Sequence, residues 1–209
     1  MPHGVITLIT GCMFSGKTTE LLRRVDAVDS RRTIVFKHII DTRYSANAVV
    51  THGGLSYPAV VVDSASAMSD QIASDALLVG VDEAHFLDDP IIESVANLRQ
   101  RGVNVVLTAL NYDSWGNPFS VIRHLEKIAD ARIHLTATCA SCGQQADRTQ
   151  RTTPIVDGNM IGGAESYEPR CVGCWEAPPD VPRALPSTTK CEDRAGQEHA
   201  TRCTKTGFP

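Results

Sequence analysis

The amino-acid sequence predicts an α/β fold, a mainly parallel sheet with helices on both faces, followed by a small cysteine-rich module. Three observations lead there. Short, continuous apolar runs alternate with amphipathic segments, the pattern of strands buried on both faces. A glycine-rich phosphate-loop signature lies between the first such run and the first helix. Two Cys-x-x-Cys pairs fall together past residue 137, where the apolar runs stop.

Taken in order, residues 4–10 are apolar and β-branched, a buried strand. Residues 18–30 carry Leu21, Leu22, Val25 and Val28 on one helical face and Arg23, Arg24 and Asp26 on the other. Residues 33–37 read as a second strand, 57–62 as a third, and 76–82 as the clearest of all. Proline at an opening position supports a helix over 90–101. A buried strand at 103–110, a helix at 119–128 and a strand at 132–138 complete the alternation. The expected organisation is a core over 1–136, a metal-binding module over 137–176 and a tail over 177–209. That tail, rich in Pro, Ser, Thr and charge, has too little apolar surface to offset its ordering entropy and is expected to be disordered.

Composition narrows the function classes. Lys and Arg total 20 against 24 Asp and Glu, a net charge of −4, whereas phosphate-backbone binders usually carry a positive surplus. The balance suits a small substrate and speaks against nucleic acid as a partner. No apolar run reaches the roughly 18 residues of a membrane span, and the first residues lack a basic, cleavable leader, so a cytoplasmic address is expected. In that reducing compartment, paired cysteines read as metal ligands before disulfides.

Residues 11–18, GCMFSGKT, match the phosphate loop between strand and helix. Gly11 and Gly16 permit a tight turn, and the backbone N–H groups of Cys12, Met13, Phe14 and Ser15 can then face phosphate oxygens beside a helix N-terminus. Lys17 would reach the β- and γ-phosphates, and the Thr18 hydroxyl would ligate Mg²⁺. Asp82 and Glu83 end an apolar strand at the edge where open α/β sheets bind ligands. Asp82 suits the Mg²⁺ side, and Glu83 suits the base that takes a proton from the group attacking the γ-phosphate. That attacker is water in a hydrolase and a substrate hydroxyl in a small-molecule kinase, and the pair alone leaves both open. The four letters at 82–85 also name a helicase class, but the length and charge here leave no room for a second motor lobe. Cys139, Cys142, Cys171 and Cys174 form two knuckles able to complete a tetrahedral, structural zinc site with no open position.

Six stretches in register resemble the type II thymidine kinase family: GCMFSGKTTELLRR, DTRYS, DEAHF, NPF, TATCASCG with RTQR, and IGGAESYEPRC. The resemblance runs from about residue 5 to 175. It implies a RecA-like ATPase core and a zinc domain carrying a lasso loop over the nucleoside. It also implies transfer of the γ-phosphate of ATP to the 5′-hydroxyl of thymidine or deoxyuridine with Mg²⁺, and a tetramer with end-product inhibition. Residue by residue, Glu83 matches the general base, and Asp41 and Arg43 fall on a mobile phosphate-side loop. Met13, Phe86, Leu110 and Phe119 match walls of the base pocket. Gly158, Asn159, Met160, Ile161, Gly162 and Tyr167 match the lasso.

Two departures bear on the nucleoside. His85, grouped here with the nucleotide-side residues, stands where the family usually has Gln. The stretch NYDSWGNP puts Ser114 where an aromatic pocket residue is usual and Trp115 where a basic one is. A kinase of a different or modified nucleoside, and a non-catalytic nucleotide-binding paralogue, are the competing readings. Intact Lys17, Thr18, Asp82 and Glu83 count against the second.

Overall fold

The structure is a computed structural model that describes residues 3–41, 47–51, 53–154 and 162–179. β1 (Ile6–Gly11) is buried along its whole length and leads through the phosphate loop into α1 (Lys17–Val25). β2 (Thr33–His38) follows a short 3₁₀ turn over Ser30–Arg32. A small hairpin of β3 (Ala48–Val50) and β4 (Ser56–Pro58) precedes β5 (Val60–Val62) and α2 (Ala65–Asp70). Then come β6 (Leu78–Asp82), α3 (Ile91–Gln100), β7 (Asn104–Leu110), α4 (Ser120–Ile128) and β8 (Ala131–Leu135).

Six strands form one sheet in the order β5-β2-β6-β7-β1-β8, every pairing parallel. Side chains two apart share a face, so each strand feeds two apolar layers. Ile9 and Val106 pack beneath Leu21, Leu22 and Val25 of α1. Leu8, Val105 and Leu107 point the other way, against Ile91 and Val95 of α3 and Ile122 and Leu125 of α4. Both faces are covered, which is why these strands read as continuous apolar runs.

The elements depart from expectation in three places. The helix expected over 18–30 ends at Val25, because Asp29 accepts from the Arg31 N–H and starts a 3₁₀ turn instead of continuing the α-helical ladder. The strand expected over 57–62 is two strands in different sheets. β4 pairs with β3 in a hairpin whose ladder runs on to the Ala59 N–H, which donates to the Asn47 carbonyl, and from Val60 the chain pairs with β2 at the edge of the central sheet. The strand expected over 132–138 divides into β8 and β9 (Ala137–Thr138).

β9 pairs antiparallel with β10 (Gln145–Ala146), and β11 (Arg148–Arg151) pairs antiparallel with β12 (Tyr167–Arg170). These two small ladders carry the four paired cysteines. Residues 180–209 of the expected tail lie outside the described residues. Among those described, no helix is long and apolar enough to cross a membrane.

Candidate functional site

The carboxyl ends of β1, β6 and β7 meet at one edge of the sheet, and β7 lies between the other two. The strand order therefore places the acidic pair one strand away from the phosphate loop. Thr18 closes that gap, its hydroxyl donating to both Asp82 carboxylate oxygens at 3.2 and 3.3 Å. From the strand between them, Thr108 donates to Asp82 Oδ1 at 2.5 Å and accepts the Glu83 N–H at 3.1 Å. One buried threonine thus fixes both acids. The sequence gives only a faint sign of it, a polar residue inside the apolar run of β7.

Within the loop, Gly16 takes the left-handed conformation (φ 85°) that starts α1, and Phe14 takes it without being glycine (φ 65°). Glu83 does the same (φ 53°). Such angles are uncommon for residues bearing a Cβ, so local strain is concentrated on the two sides of one cavity. Lys17 Nζ and Ser15 Oγ both donate to the Cys12 carbonyl at 2.8 Å, folding the loop on itself. Burial pushes the Cys12 thiol above its ordinary range, against the pull of Lys17, which keeps it a buried S–H donating to the Ala146 carbonyl.

Two cavities open here. The first, of about 260 Å³, is lined by Met13, Phe14, Gly16, Lys17 and Thr18 of the loop, with Asp41, Asp82 and Glu83. Lys37, missed from the sequence, adds a second buried cation, its Nζ 3.8 Å from Asp41 Oδ2. A lysine at the end of a strand among apolar neighbours was the available signal. The second cavity, of about 90 Å³, is predominantly apolar. It is lined by Phe86, Leu110 and Phe119, which the resemblance assigns to a base pocket, by Gly162 and Tyr167, which it assigns to the lasso, and by Ser114, Tyr112 and Thr149. Met13 and Glu83 line both cavities. His85 lies on the second cavity rather than the first. Its Nδ1 lies 3.2 Å from the Leu110 nitrogen and 3.4 Å from Glu83 Oε2, and its ring packs against Phe86 and Phe119. Arg43 and Gly158, Asn159, Met160 and Ile161 lie outside the described residues.

The sulfur atoms of Cys139, Cys142, Cys171 and Cys174 all lie within 4.8 Å of one another, and those of Cys142 and Cys171 are 3.6 Å apart. A tetrahedron with Zn–S bonds of about 2.3 Å has edges of about 3.8 Å, so the donor set fits zinc. Its charge fits too. Cys139 is pushed up by burial, but N–H groups of Cys171, Cys142 and Ser141 outweigh that and lower it to about 6. Cys142 receives the Gln144 N–H, which lowers it, yet the three neighbouring sulfurs push it up to about 12. Four sulfurs this close resist full ionisation until a cation joins them. The module docks on the phosphate loop, since the Met13 N–H donates to Thr149 Oγ1 at 3.1 Å. Arg148 lies over the Tyr112 ring, 4.0 Å from its centroid, and ties the module to the wall of the apolar cavity.

Fold and site together define a P-loop protein of the α/β class, with one acidic residue shared between the cavity at the phosphate loop and an apolar one. The family model described as thymidine kinase matches residues 4–175. A thymidine kinase of Mesoplasma florum is 36% identical over 189 residues, covering 83% of this chain and 92% of that relative. A thymidine kinase of Thermococcus kodakarensis is 39% identical over 186 residues, covering 81% and 93%. The chain belongs to the thymidine kinase family.

Proposed function

We propose that this protein transfers the γ-phosphate of ATP to the 5′-hydroxyl of thymidine, with deoxyuridine as a second acceptor. The observation that carries the reading is Glu83, which lines both the phosphate cavity and the apolar cavity. A nucleoside in the apolar cavity brings its hydroxyl to the residue that also faces the γ-phosphate. The hydroxyl proton passes to a Glu83 carboxylate oxygen, the 5′-oxygen bonds phosphorus, and the bond to the β-phosphate oxygen breaks to release ADP. The Lys17 ammonium neutralises phosphate charge, Asp41 lines the same cavity, and Arg43 is assigned a phosphate-side role by family resemblance. Thr18 and Asp82 supply a hydroxyl and a carboxylate, the hard oxygen donors that Mg²⁺ prefers, and the ion would offset charge on the phosphates. The apolar walls, Phe86 and Phe119 among them, suit a flat pyrimidine. A tetramer and a cytoplasmic address complete the reading.

Phosphate transfer from labelled ATP across thymidine, deoxyuridine, deoxycytidine, uridine and purine nucleosides tests it. Preference for thymidine and deoxyuridine is expected. Transfer to another nucleoside alone would move the substrate assignment to the Ser114 and His85 departures, and transfer to none would overturn it.

A further inference from the structure

The turn that follows β7 forms one wall of the apolar cavity, through Tyr112, Asp113 and Ser114. It is stiff within itself. Asp113 Oδ1 accepts the N–H groups of Trp115 and Asn117 at 2.9 and 2.8 Å, the Asp113 N–H bonds the Asn117 carbonyl, and Tyr112 bridges Pro118. A turn closed in this way moves as a unit, so its place is set by what touches its outer side.

What touches it is Trp175. A methyl group built on Gly116 would lie 3.0 Å from Trp175 Cη2 and 3.4 Å from Cζ2, so the indole rests directly on the glycine backbone. Gly116 also has φ +83°, and both facts reserve the position for glycine. The backbone that bears the indole is anchored at Trp175 and at the next residue. The Trp175 N–H donates to the Cys171 carbonyl at 2.9 Å, inside the cysteine knuckle. The next residue, Glu176, exchanges two hydrogen bonds with the Gln150 side chain, at 2.8 and 2.9 Å. The indole Nε1 is buried with no hydrogen-bond partner among the described residues. Shape, not polarity, therefore holds the ring in place.

We infer that Trp175 is a positioning residue for nucleoside binding: seated on the zinc knuckle, it presses through Gly116 on the 113–117 turn and sets the width of the apolar cavity at Ser114. Ser114 is a small side chain in that wall, 5% exposed, so the gap it leaves is sensitive to the distance of the whole turn. The inference rests on the kinase reading above and adds a determinant of substrate affinity that never touches substrate.

The test compares Trp175→Leu and Trp175→Phe in the full chain, with zinc content measured alongside kinetics. The Leu variant is expected to raise the thymidine KM about tenfold, with kcat and the ATP KM within about twofold and zinc per chain unchanged, the signature of lost ground-state binding. The Phe variant keeps a flat ring and, having no buried N–H to satisfy, restores most of the affinity. An unmoved thymidine KM, or an ATP KM and zinc content that change in step with it, overturns the inference. Should the Leu variant not fold, Trp115→Phe leaves Trp175 as the single tryptophan of a chain that has two. Its emission is expected to shift on adding thymidine and not on adding ATP; identical emission with and without thymidine is the overturning result. Failure of the kinase reading looks different, since the native protein then phosphorylates no nucleoside at all.

Discussion

Glu83 occupies a left-handed backbone angle that few residues with a side chain adopt, directly after a buried strand. The strain is held by the Thr108 hydroxyl beneath its N–H and by the short 3₁₀ turn over Ala84–Phe86. Replacing Glu83 by Gln keeps shape and removes the proton acceptor. Turnover should fall roughly 10²-fold or more while ATP binding, followed by calorimetry, stays nearly intact; unchanged turnover would remove Glu83 from the base role. Thr108→Val acts one step back. It leaves the Glu83 N–H and Asp82 Oδ1 without that partner, at a cost of about 1–3 kcal/mol in a buried setting. Urea unfolding should report that loss, and kcat should fall while the thymidine KM holds. That Lys17, Thr18 and Asp82 line one cavity followed from the sequence, the first two by motif spacing and the third by its place at the end of an apolar strand. Thr108 and Lys37 were not legible there, because their roles arise from which strands become neighbours, and no local pattern encodes strand order.

At the scale of elements, α1 carries the phosphate loop at its N-terminus and is braced by Glu20, which bonds Arg23 at 2.7 Å and Arg24 at 2.8 Å. The Arg23 hydrogen bond first, then Arg24 against the cost of burial, lowers the Glu20 carboxyl from 4.5 to about 2. A carboxyl depressed by folding stabilises the fold above its ordinary value and loses that contribution as pH falls toward its folded one. Between about pH 4.5 and pH 2 the native protein should therefore lose thermal stability more steeply than Glu20→Gln, and the two melting curves should converge at the acid end. Parallel curves would show that the two ion pairs contribute nothing. The long apolar strands and the amphipathic helices were readable from periodicity alone. α2 was not foreseen, because six residues, ASAMSD, offer too short a window for a helical period, and its start depends on the Ser64 hydroxyl capping the Ala67 N–H. The misread ends of α1 and the divided third strand share one cause. The Asp29 side chain and the change of partner strand after Ala59 decide where a hydrogen-bond ladder stops, and they do so inside segments whose apolar pattern continues.

Across the whole molecule, the cysteine module is too small to hold its own shape. Its two ladders pair two and four residues, and its buried apolar residues among those described are Cys139, Ala146 and Tyr167, with the partly buried Ala137, Cys171 and Cys174 and the P-loop Cys12 beside the first two. Structures of that size need a staple, and four sulfurs at zinc-binding separations supply one. The core has no such need, with apolar layers on both faces of six parallel strands. Yet the module supports the site from two directions. Thr149 and Ala146 hold Met13 and Cys12 of the phosphate loop, and Arg148 and Trp175 hold the turn beside the apolar cavity. Removing metal should therefore separate folding from function. The purified protein is expected to carry about one zinc per chain by elemental analysis, as a closed Cys₄ site requires. Stripping it with a chelator should leave most helical circular dichroism in place, because every described helix belongs to the core. Phosphate transfer should collapse, and affinity for both ATP and thymidine should drop together. That joint loss contrasts with the nucleoside-only effect expected at Trp175, which reaches one cavity and not the other. Zinc added back under reducing conditions should restore both affinities. A chain that is folded, active and free of metal would show that the four cysteines hold their arrangement unaided, and that the support of the site comes from the ladders themselves.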